Sequence, residues 1–77
     1  MDLRLNQLKP GEKATVTGIE TESALRRRLM DIGLVENTVV ECVGKSPMGD
    51  PVAYLIRGAV IAIRSRDCSG ISIRKSG

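Results

Sequence analysis

The hydrophobic period of this chain changes from two to about 3.6 and back again, which confines it to short strands interrupted by one helix. Ala14 to Glu20 sets β-branched residues in near alternation, with Val16 and Ile19 available to an interior and Thr15 and Thr17 to solvent. Leu25, Leu29 and Ile32 then fall at i, i+4 and i+7, with Ala24 alongside, which gathers them on one helix face. Thr21 is the expected N-cap, and Glu22 sits where the helix dipole favours negative charge. Gly33 is placed to stop the helix in a left-handed conformation, so that Leu34 folds back on the core. After Asn37 the period returns to two, and Thr38 to Gly44, Val52 to Arg57, Ala59 to Arg64 and Ile71 to Arg74 read as strands two to five.

The punctuation agrees with this reading. Pro10-Gly11 marks a turn, and Leu3, Leu5 and Leu8 give the leading segment apolar anchors to dock it. The stretch from Lys45 to Pro51 carries two prolines and a glycine, so it leaves the ladder as a wide, projecting hairpin loop. Arg57-Gly58 is just long enough for a two-residue turn, and Asp67 to Gly70 for a single turn before the last strand. About five short strands cannot bury a flat sheet, and closure removes exposed edges. The expected fold is therefore mostly β: a small SH3-like barrel, favoured over an OB-like one, with one short helix after the first strand. With 77 residues, a single domain over 1–77 is expected.

Composition narrows the function. An apolar share of 42% and a charged share of 27% indicate neither disorder nor membrane residence. The longest apolar runs, such as Ala59 to Ile63, are far short of the roughly 20 residues that cross a bilayer. Met1-Asp2-Leu3-Arg4-Leu5 lacks the features of a secretory signal, so a cytoplasmic home is the default expectation. Cys42 and Cys68 are expected as reduced thiols packed in the core, since two isolated thiols make a poor metal site. There is no histidine, which removes the commonest general base and transition-metal ligand together. Neither familiar glycine loop for nucleotides occurs, and nothing supplies an activated nucleophile, so no enzyme, catalytic residue, metal site or cofactor is expected.

A binding module remains. The net charge is +3, and from Arg57 onward five cations face only Asp67. Such a surface suits acidic protein, nucleic acid or anionic lipid. Nucleic acid is not the expected partner, because Tyr54 is the only aromatic and a stacking platform needs several; a small basic barrel that binds nucleic acid is the alternative. Arg26-Arg27-Arg28 point in successive 100° directions and cannot form one phosphate clamp. Arg26 or Arg27 could instead make bidentate contacts to an acidic protein. Met48, at the tip of the wide loop, suits an adaptable contact, and Asp50 beside it completes the expected contact set.

These residues resemble the FeoA family from Leu5 to Ile73, in order and in spacing. The carrying segments are Leu5 to Gly11, Leu25 to Leu34, Pro47 to Val52 and Ala62 to Arg64. Asn37 stands where glycine is usual, and Cys68 where a small residue such as alanine is usual; both departures are mild, since asparagine tolerates a left-handed turn. The resemblance implies an accessory protein of bacterial ferrous-iron uptake. It would act from the cytoplasm on FeoB, a membrane transporter with a GTPase domain, and self-association through a barrel edge is left open. No catalytic residues carry over from the family.

Overall fold

The computed structural model describes residues 3–75. Met1 and Asp2, part of the segment that lacked a secretory signal, and the two ends of the expected 1–77 domain lie outside the described residues. Six strands form one antiparallel sheet: β1 (Leu3–Arg4), β2 (Lys13–Ile19), β3 (Val39–Lys45), β4 (Val52–Ile56), β5 (Ala59–Ile63) and β6 (Ile71–Lys75). Their spatial order is β1-β6-β2-β3-β4-β5. Helix α1 (Ser23–Asp31) joins β2 to β3, α2 (Ser65–Cys68) joins β5 to β6, and a 3-10 turn over Leu5–Gln7 follows β1.

The mostly β, SH3-like architecture is as expected, with two corrections. There are six strands rather than about five, because Leu3 and Arg4 pair with Ile73 and Ser72 of β6. Two residues are too few to show alternation. There are two helices rather than one, because the expected turn before β6 is a helical turn, with Cys68 N–H donating to the Arg64 carbonyl. The N-cap of α1 is Glu22, in extended conformation, and not Thr21. A Thr side-chain cap was the expected device, and α1 starts without any side-chain cap.

Among the described residues, the sheet curls over its core without pairing its two ends, β1 and β5. Tyr54 on β4 donates its hydroxyl to the Leu5 carbonyl at 3.3 Å, although β4 stands four places from β1 in the sheet. Register shifts between Val16 and Gly18 and between Cys42 and Gly44 supply the bends, each at a glycine that leaves room for a bulge. Inside lie Leu5, Leu8, Ala14, Val16, Val40 and Tyr54, together with Ile56, Ile71 and Ile73, all essentially without solvent contact. Both cysteines are free and buried in this core.

Candidate functional site

Helix α1 ends in a Schellman stop. The Leu34 N–H donates to Leu29 O at 2.9 Å and the Gly33 N–H to Met30 O at 3.0 Å, with Gly33 at φ +92°. Leu34 and Leu29 are both buried, so the stop is also an apolar contact. Arg57, from the β4–β5 turn, donates its Nε to the Gly33 carbonyl at 3.0 Å, and Thr38 Oγ1 donates to the same oxygen at 3.3 Å. A cation at a helix C-terminus also complements its dipole. Arg57 and Gly58 both have positive φ, +50° and +84°, as a type I′ hairpin turn requires. The end of the helix is thus fastened to the turn that starts β5.

Leu29 packs into the core and Leu25 against it, but α1 leaves β5 uncovered. A cleft of about 290 Å³ runs between them, lined by Leu25, Leu29 and Ile32 of α1 and by Ile61, Ala62 and Ile63 of β5. The charged side chains that line it are Arg28, Arg64, Arg66 and Asp67. None of the three arginines is ion-paired among the described residues, where the ion pairs are Arg4–Glu20, Lys13–Glu41 and Lys75–Glu12. A second cleft, of about 260 Å³, lies on another side of the helix and is lined by Ile19, Arg26, Met30, Val35 and Glu36.

The contact residues expected from sequence are not brought together. Arg26 lines the second cleft and Arg28 the first, as 100° steps require, and Arg27 lines neither. Met48 projects from the β3–β4 loop with 90% of its surface exposed and lines neither cleft. Asp50 has a job inside the fold: its Oδ1 accepts the Ser65 N–H at 2.7 Å, tying the loop to the start of α2. That backbone hydrogen bond, helped by Arg64 and Arg66, holds the Asp50 carboxyl below its usual range. Sequence reasoning missed the parts played by Arg57 and Arg64; the only signal was the basic run from Arg57 onward.

The thiols sit in an apolar interior. Cys68 Sγ donates to Tyr54 Oη at 3.5 Å, and burial pushes its pKa up to about 11; burial raises Cys42 as well. Both stay protonated near neutral pH, which makes them weak nucleophiles and weak ligands. No group of three His, Cys, Asp or Glu is placed to hold a metal ion among the described residues. No helix among them is long and apolar enough to cross a membrane. The first cleft thus combines six apolar side chains with three arginines and one aspartate.

A family model described as the FeoA domain matches residues 3–75. The fusion protein of Fe(2+) transport protein A and Fe(2+) transporter FeoB from Porphyromonas gingivalis is 28% identical over 71 residues. That match covers 92% of this chain and 8% of the relative, so the chain spans a small part of the relative's length. The solution structure of FeoA from Chlorobium tepidum is 35% identical with a TM-score of 0.92, covering 97% of this chain and 71% of that one. The crystal structure of Stenotrophomonas maltophilia FeoA complexed with zinc, described as a procaryotic SH3 domain protein, is 24% identical. It has a TM-score of 0.82, covers 94% of this chain and 89% of that one, and shows the shared fold.

Proposed function

We propose, from the premise that this chain belongs to the FeoA family of ferrous-iron transport proteins, that it acts as an accessory protein by binding a FeoB-type transporter on its cytoplasmic side. The observation that carries this reading is the fused relative, in which a stretch similar to this chain and a FeoB transporter are parts of one polypeptide. Fusion holds two modules at high effective concentration, which is useful where they meet in function. FeoA is not a known enzyme family, and the buried, protonated thiols and the lack of histidine fit a protein that works by contact. The nucleic-acid alternative loses its one stacking residue, because Tyr54 is fully buried. Arg26, Arg27 and Met48 remain proposed contacts because they are exposed, while Asp50 contributes by fixing the loop that carries Met48.

The test is titration of this protein against the detergent-solubilised transporter and against its isolated GTPase domain, in parallel, at two salt concentrations. Saturable binding to the transporter is expected, weakening as salt screens the arginines. Absence of binding to both, with or without nucleotide, overturns the reading.

A further inference from the structure

We propose that the cleft between α1 and β5 receives an acidic, extended segment of the transporter, which adds to the free edge of β5 as a further strand. The proposal deepens the accessory reading and rests on it. Its first support is the edge itself. Among the described residues β5 ends the sheet, with β4 as its only neighbour. The two-residue turn makes Ile56 and Ala59 a hydrogen-bonded pair, and in an antiparallel ladder such pairs alternate. Tyr54 with Ile61 and Val52 with Ile63 are therefore the next bonded pairs. The N–H and C=O groups of Val60 and Ala62 are left pointing away from β4, ready to accept another strand.

Edges of this kind are usually blunted by charge, by proline or by a covering element. Here Ala59 to Ile63 is wholly apolar, and the element beside it, α1, leaves a cleft instead of a seal. A groove between an edge strand and a helix suits strand addition, in which main-chain bonds give affinity and alternate side chains enter the groove. Leu25, Ile32 and Ile61, each partly exposed, form an apolar surface for such side chains.

Charge selects the occupant. Arg28 lies on the helical side and Arg64 and Arg66 continue from the strand, all three outside the ion pairs of the described residues; Asp67 is the one acid in the lining, and Asp50, held by the Ser65 N–H, is near enough to Arg64 and Arg66 to feel their charge. Guanidinium groups on both sides of a groove fit carboxylates carried by the segment between its apolar residues.

The experiment uses the full chain and the detergent-solubilised transporter. Ala62→Pro removes an N–H that β4 does not use, so the hairpin is retained, which thermal unfolding checks; the exposed pair Arg28→Glu with Arg64→Glu tests charge without touching the core. Each is expected to weaken binding about tenfold or more, while Arg74→Glu, a charge reversal outside the cleft, leaves it within about twofold. Hydrogen exchange supplies an independent readout: the amides of Val60 and Ala62 exchange quickly in the free protein and become protected in the complex. Wild-type affinity in the Ala62→Pro and arginine variants, or unprotected amides in a saturated complex, overturns the proposal while the accessory reading stands. Failure of the wild-type chain to bind overturns both. Protection that grows with the concentration of this chain alone assigns the edge to a second copy and also overturns it.

Discussion

The barrel and its helix are held by different physics. In the barrel, Tyr54 reaches across the curled sheet to Leu5, meets Cys68, and is surrounded by side chains with no solvent contact. In α1 only Leu29 is buried, Leu25 is half-buried, and Met30 and Ile32 expose 51% and 37% of their surfaces. A nine-residue helix is too short to persist alone in water. It is kept by one apolar anchor and a well-made C-terminal stop. Apolar burial gives the barrel its stability, while end-fastening gives the helix its position and leaves its flank exposed.

This contrast can be broken most severely from the core. Tyr54→Ala is expected to cost about 4 kcal/mol, read by chemical denaturation, because it empties a site with no exposed wall. Leu29→Ala should cost about 2 kcal/mol, near the low end for a buried leucine, because its surroundings are partly open to solvent. Equal costs at the two positions would mean that α1 belongs to the same cooperative unit as the barrel, and the contrast would fail. Arg57→Ala removes one of two donors to the Gly33 carbonyl and should cost about 1 kcal/mol or less, with faster amide exchange confined to the last turn of α1. Exchange that quickens in β2 or β6 instead would show that the fastening is not local.

The smallest effect concerns Asp50. Its folded-state pKa is depressed below the ordinary value of 3.8, so its contribution to stability is present above that pH and is lost as pH falls through the folded value. Asp50→Asn should lower stability slightly at neutral pH and flatten the acid limb of the stability curve below 3.8. A variant whose acid limb matches the wild type would show that the Ser65 contact contributes nothing.

Features encoded locally were legible in the sequence. Gly33 and Arg57-Gly58 sit where left-handed conformations are required, Asn37 takes φ +71° as an asparagine can, and all five expected strands begin and end within one residue of their expected bounds. What could not be read depends on partners distant in sequence. Arg4 belongs to a strand only because Ser72 is opposite it, and Arg57 meets Gly33 across 24 positions. Asp50 meets Ser65 across 15. The arginine triplet shows the same limit: its 100° fan was plain, but which arginine faces β5 depends on how α1 is seated, and that is decided at its far end.

The bond from Arg57 to Gly33 gives the cleft a direction. Where the helix end and the hairpin turn are joined the walls meet, and Arg57 does not line the cleft; Arg64 and Arg66 lie toward the other end of β5. The cleft is pinned at one end and carries Arg64 and Arg66 toward the other, so the carboxylates of the proposed segment would meet those arginines away from the fastened helix end.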